Sequence, residues 1–271
     1  MSDNSSAIVR PIIYREYVLK HFPTTVSSTY NSVDFIIGFA SENYNRNGEG
    51  TGNFYPTWDP ATFSPEKVKQ LKKNYPNVRV VISIGGDIGT YSPFNPNKKE
   101  AWIAAAVYSL KEIIHIYDDK YQRNMIDGID IHYSSIKSDD FSYCIGEVIK
   151  SIKTDIQLTI KVVSITAGEY TQSDYLKLYV ENKKYIDIVH YLFTNWRYCK
   201  EDLVDFYRKL LAWYSPAAVL PGYLNPSFSG DKAKETVMYL VKQYLAPGFF
   251  TYPSHDSPGP FSSEEDTSKN I

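Results

Sequence analysis

Cysteine is nearly absent: Cys144 and Cys199 are the only two, too far apart for a C-x-x-C pair, which excludes a disulfide framework and a cysteine-based zinc site. A surplus of one charge is missing as well. With 29 basic and 31 acidic residues the formal net charge is -2, so no electrostatic drive toward nucleic acid or an anionic membrane surface is expected. No apolar run approaches the ~18 residues that a membrane-spanning helix needs. No G-x-G-x-x-G or G-x-x-x-x-G-K-S follows a strand-like run, which removes the common nucleotide sites. The opening M-S-D-N-S-S-A-I-V-R has neither a basic nor an apolar leader region, so the chain reads as cytoplasmic.

What is present is alternation. Short β-branched runs begin at Val9, Val33, Val78, Ile126, Gln157, Ile188, Ala218 and Gly248, eight in all, with helical periodicity between them. Ser64-Pro65-Glu66 has the order of a helix cap followed by proline at the first helical position. Ser138-Asp139-Asp140 puts a cap and two acids at a dipole-favoured end. From Asn97 to Tyr117 the residues Trp102, Ile103, Ala106, Val107, Leu110, Ile113, Ile114 and Tyr117 make one apolar stripe. Eight strands alternating with helices over ~250 residues predict an α/β fold, a single (β/α)8 barrel, with an open doubly wound sheet as the alternative.

The barrel is expected to occupy residues 1–252. Residues 253–271, rich in proline, serine and acid, read as a disordered tail, so a regular eighth helix is expected to be missing. That would leave Phe249 on the outer side of the last strand poorly covered, an apolar strip suited to a protein partner. The stretch from Ser41 to Phe63 reads as a long loop at the ligand-binding end of the barrel. Its Tyr44, Phe54, Tyr55 and Trp58 are candidate sugar-stacking residues, with packing of the loop upon itself as the alternative.

Chemistry concentrates in I-D-G-I-D-I-H-Y-S-S-I, from Ile126 to Ile136. Along a strand, Gly128, Asp130, His132 and Ser134 share one face. An acid, an imidazole and a hydroxyl in that order have the residue types of a hydrolytic triad. No oxyanion hole accompanies them, however, and a hydrogen-bonded polar network is the reading that buried polar groups favour. Of the five histidines only His132 and His190 fall on strand-like runs, and no third ligand has metal-site spacing; neither a metal nor a cofactor is expected.

Ser83-Ile84-Gly85-Gly86 at the end of the third run, followed by Asp127-Gly128-Ile129-Asp130-Ile131-His132-Tyr133-Ser134, resembles the paired signature of the family 18 glycoside hydrolases, the chitinases. The family's second motif is D-G-x-D-x-D-x-E on the fourth strand of a (β/α)8 barrel. R-P-I-I-Y-R-E-Y, I-I-G-F-A and G-E-G-T-G extend the likeness, to the narbonin-like subgroup of plant seed globulins and RuBisCO-associated proteins, over nearly the whole chain as far as Tyr252. The resemblance implies that the motif's last acid protonates the glycosidic oxygen and that the preceding aspartate orients the substrate's N-acetyl group, which is itself the nucleophile.

Those two positions are Ser134 and His132 here, while Asp127 and Asp130 are retained. An alcohol cannot serve as the acid, since its pKa lies far above working pH. By the same resemblance Thr194 replaces a tyrosine that contacts the acetamido group, and Tyr252 replaces a tryptophan that floors the sugar site. The expectation is therefore a chitinase-like protein without catalysis, with a storage or protein-associated role and RuBisCO or another protein as partner. A lectin-like protein using Asp130, Tyr252, Trp58 and Tyr44 to hold chito-oligosaccharides is one alternative; residual hydrolysis is the other.

Overall fold

The computed structural model describes residues 12–86, 92–118, 125–193, 200–225, 230–243 and 245–253. β1 (Ile13–Val18), β2 (Ser32–Tyr44), β4 (Val78–Gly86), β5 (Gly128–Tyr133), β6 (Val162–Ala167), β7 (Ile188–Leu192), β8 (Ala218–Asn225) and β9 (Gly248–Pro253) pair in parallel. The sheet closes through β1 with β9 and β1 with β2. Eight parallel strands in a closed ring are the expected barrel.

The strand-like runs lie close to these strands. β1 spans Ile13–Val18, the start of its run at Val9 lying outside the described residues, and β6 begins at Val162, not Gln157; Leu158 and Ile160 pack into the core before their segment joins the sheet. Both faces of the barrel wall are buried, which explains the near-continuous apolar runs. Tyr17, Ile36, Val81, Val162, Ile188, Leu220 and Phe250 fill the interior. A second, larger core lies between the wall and the helices.

Six helices cover the outside among the described residues: α1 (Pro65–Asn74), α2 (Lys99–Tyr117), α3 (Phe141–Lys153), α4 (Gln172–Asn182), α5 (Lys200–Trp213) and α6 (Gly230–Lys242). Their starts follow the sequence. Ser64 Oγ accepts the Lys67 N–H at the head of α1, and the apolar stripe of α2 is the face that turns inward. Asp140 precedes α3 but makes no side-chain cap; its own N–H donates to Ser138 Oγ.

One expectation about coverage fails. The connection from β1 to β2 contains no helix, so among the described residues six helices join the strands of the barrel. Yet Phe249 is fully buried: Tyr14 lies 5.1 Å from it and Tyr30, carried by that non-helical connection, 6.0 Å. The uncovered apolar strip predicted on the last strand is absent, because aromatic side chains do the work of a helix there. The expected tail beyond Pro253 lies outside the described residues.

The stretch predicted as a long loop is a hairpin instead. β2 runs on to Tyr44 and pairs antiparallel with β3 (Gly50–Pro56), which rests on α2. The free edge of β3 is covered by Ser109 of α2, whose Oγ accepts the Phe54 N–H and donates toward the Gly52 carbonyl. Gly52 has φ +75°, and a Cβ there would sit 2.2 Å from the Trp102 carbonyl oxygen, so only glycine lets the hairpin approach the helix.

Candidate functional site

The signature splits between the two ends of β5. Asp127, just before the strand, lies at the base of the barrel. Its carboxylate accepts from Lys72 Nζ at 2.7 Å, Lys161 Nζ at 2.9 Å and the Val80 N–H at 2.9 Å. It ties α1, β4 and the start of β6 together and is remote from the mouth. Its place in the motif is structural.

Asp130 points into the barrel and is inaccessible to solvent. Its Oδ2 accepts from Tyr17 Oη at 2.7 Å and Ser83 Oγ at 2.8 Å; its Oδ1 accepts from Ser164 Oγ at 2.6 Å and Thr166 Oγ1 at 3.2 Å. Thr166 has a single proton for Tyr17 Oη at 2.7 Å and Asp130 Oδ1 at 3.2 Å, so the carboxylate takes three hydroxyl protons outright and shares a fourth. The retained aspartate is enclosed by the barrel's own donors.

His190 stands beside this cluster. Arg15 Nη1 lies 2.7 Å from its Nε2, and a guanidinium can only donate, so Nε2 accepts. The remaining proton is on Nδ1, which lies 2.8 Å from Thr166 Oγ1 and 3.4 Å from Asp130 Oδ1. Burial and the neighbouring Arg15 charge push the imidazole down to about 4, so it is neutral at neutral pH. Burial alone would raise Asp130, but His190, Arg15 and the Ser164 hydroxyl outweigh it and hold the carboxyl well below the usual range. Burial, followed by the Asp130 charge, holds the Tyr17 phenol well above its ordinary value.

The mouth above Asp130 is filled by rings. His132 packs edge-on against Tyr17 at 5.6 Å, Phe39 at 5.5 Å and Tyr252 at 5.6 Å, and Tyr252 lies 4.8 Å from Tyr17. His132 is 6% exposed and Tyr252 3%. Gly85, with φ +110°, would place a Cβ 2.3 Å from the His132 carbonyl oxygen, which gives the S-I-G-G glycine its reason: close approach to β5. Ser134 falls just past the end of β5 and is half-buried. Among the described residues no hydrogen bond links Asp130, His132 and Ser134, so the triad reading has no geometric support. Thr194 lies outside the described residues.

The other sugar-stacking candidates are not gathered with Asp130. Trp58 is a core residue whose Nε1 donates to Tyr117 Oη at 2.9 Å, beneath α2. Tyr44 is half-buried on the hairpin and donates to the Pro93 carbonyl at 3.0 Å. Among the described residues, a cavity of about 620 Å³ opens beside the barrel. Tyr191, Phe193, Leu203 and Phe206 line it, away from Asp130. No group of three His, Cys, Asp or Glu side chains among the described residues has the arrangement of a metal site.

Sequence reading missed Arg15, Tyr17, Ser164, Thr166 and Glu42, and placed His190 on a strand without its partners. The available signal was a polar residue inside a strand whose two faces are both buried, since such a residue must find partners there. Glu42, on the hairpin, accepts from Trp102 Nε1, from Tyr133 Oη at 3.0 Å and from the Gly52 N–H at 2.9 Å. Burial raises its carboxyl above the ordinary value despite these donors.

Comparison with known proteins agrees with this architecture. "Chitinase 1" of Tulipa saxatilis subsp. bakeri is 29% identical over 264 residues, 91% of this chain and 82% of its own length. The RuBisCO-associated protein of Glycine max is 30% identical over 165 residues, 58% of this chain and 55% of its own length. The solved family 18 chitinase of Crocus vernus superposes with a TM-score of 0.79 at 23% identity, covering 95% of this chain and 98% of that one. The family model "Glycosyl hydrolases family 18" matches residues 26–249, from the β1–β2 connection to the last strand, and the chain belongs to that family.

Proposed function

We propose that this chain is a family 18 protein without chitinase activity, serving as a storage or protein-associated protein, with RuBisCO as the partner to test first. The observation that carries the reading is the state of the retained aspartate. Asp130 is solvent-inaccessible, Tyr17, Ser83 and Ser164 donate to it with Thr166 beside them, and the residues at the two acid positions are His132 and Ser134. Proton donation by a positioned acid is worth about 10²–10⁴ in rate, and a serine hydroxyl supplies none of it. Similarity to the soybean RuBisCO-associated protein supports the choice of partner.

The lectin-like alternative needs an accessible aromatic face beside Asp130, and Tyr252 at 3% exposure does not offer one; the exposed Tyr55 and half-buried Tyr44 lie on the hairpin instead. Two assays test the proposal. Chito-oligosaccharide cleavage by the purified protein is expected to stay at the level of the uncatalysed control. Sedimentation of the protein mixed with RuBisCO is expected to show a joint boundary. Measurable turnover would overturn the first half, and independent boundaries at micromolar concentrations the second.

A further inference from the structure

One column of hydrogen bonds, with an ion pair between Arg15 and Asp34, joins the base of the barrel to its mouth. Arg79, partly exposed at the base, holds Asp34 through bonds of 2.6 and 2.8 Å. Asp34 meets Arg15 Nε at 2.7 Å, Arg15 meets His190, and His190 meets Thr166. Thr166 and Asp130 both hold the Tyr17 hydroxyl at 2.7 Å, and the Tyr17 ring is a wall of the aromatic mouth. The column carries two guanidinium groups and two carboxylates, so it is charge-balanced only while His190 is neutral.

The groups facing His190 are Arg15 and Tyr17 from β1, Asp34 from β2, Asp130 from β5, Thr166 from β6 and the Phe250 ring, 4.6 Å away, from β9. Protonation removes the lone pair that accepts the Arg15 N–H and sets donor against donor at 2.7 Å. The guanidinium cannot release its proton, so the imidazole must move. Asp130, 3.4 Å away, attracts the new charge, but the hydroxyls of Tyr17, Ser83 and Ser164 already donate to it, with Thr166 beside them. Accommodating an imidazolium therefore displaces Thr166 or Tyr17.

We propose that His190 is an acid-sensitive latch on the barrel mouth: its protonation breaks the contact with Arg15, releases Tyr17 from Asp130 and Thr166, and lets Tyr252 and His132 separate. The inference holds whether or not the mouth cleaves sugar. Its sign follows from linkage. The closed form holds the imidazole at about 4 and an opened form returns it toward 6.5, so the closed-to-open ratio falls by about two orders of magnitude between pH 6.5 and pH 4.

Hydroxyl-radical footprinting of the whole chain from pH 7 to pH 4, read by mass spectrometry beside an NMR titration of the His190 ring, tests the latch. Oxidation of Tyr17 and Tyr252 is expected to rise with the His190 midpoint, while Tyr133 and Tyr175, fully buried in the outer core, stay protected. His190→Gln, neutral at every pH, is expected to abolish the rise, and His132→Gln to keep it. A rise that survives in His190→Gln, one that disappears in His132→Gln, one that spreads to Tyr133 and Tyr175, or none by pH 4 would each overturn the proposal. If His190→Gln fails to fold, the wild-type titration still decides: an opening midpoint displaced from that of His190 refutes the latch.

Discussion

Asp130 and Glu42 are both buried carboxyl groups, each surrounded by hydrogen-bond donors, yet their acidities move in opposite directions. Asp130 lies in the barrel interior, where His190 and Arg15 join the hydroxyls around it. Glu42 lies between the wall and α2, where its donors are an indole, a phenol and a backbone amide, with no cation in contact among the described residues. The donors around Glu42 do not offset the cost of burying its charge; at Asp130 His190 first, and then the Arg15 guanidinium, tip the balance. The barrel interior is thus a charge-balanced column, and the hairpin is held by a carboxyl that favours its proton.

The largest break in that contrast is expected from Arg15→Met, which leaves Asp34 without its buried partner and His190 without its donor. Removing one member of a buried pair costs about 3–5 kcal/mol, measurable by urea unfolding with an unchanged slope. A loss below about 1 kcal/mol would mean that Arg79 alone supports Asp34.

Acid should act next. His190 has a folded pKa of about 4 against 6.5 unfolded, so the unfolded chain binds more protons in this window, and stability present above pH 6.5 is lost as pH falls toward 4. The expected loss is on the order of 3 kcal/mol, absent in His190→Gln. Asp130, held low when folded, adds a further loss only below the ordinary 3.8. Urea unfolding midpoints measured across this range would expose a flat profile, which would contradict the assigned neutral histidine.

On the hairpin side, Gly52→Ala forces a side chain into a left-handed position against the Trp102 carbonyl and is expected to cost about 1–3 kcal/mol in thermal denaturation. Glu42→Gln should have the smallest effect and the opposite pH trend. A raised folded pKa means that the stability owed to Glu42 is present below 4.5 and is lost as pH rises through the folded value. The variant's stability relative to the parent is therefore expected to grow with pH. A decline with pH would place the Glu42 carboxylate in a favourable charged environment after all.

The barrel was legible because its strands are buried on both faces and bounded by cap and turn residues, as at Ser64-Pro65. The hairpin was not, because Gly50, which makes room for the Glu42 carboxyl, and Gly52, which allows the close approach to α2, read locally as loop residues. Coverage of Phe249 was hidden for a related reason: Tyr14 and Tyr30 shield it from positions with no helical period. At the mouth, the replacements at His132 and Ser134 were visible in the motif itself. The donors that fill Asp130 were not, since Tyr17, Ser164 and Thr166 are single polar residues on separate strands, and only register brings them to one carboxylate.

The central claim is that the family's sugar site is closed by the protein's own side chains. The most direct measurement is a calorimetric titration with chitotetraose at neutral pH, with the same samples assayed for shorter oligosaccharides. The account predicts neither saturable heat at millimolar sugar nor cleavage. Saturable binding, which Asp130→Asn or Tyr252→Ala abolishes, would show that the mouth is open and contradict it.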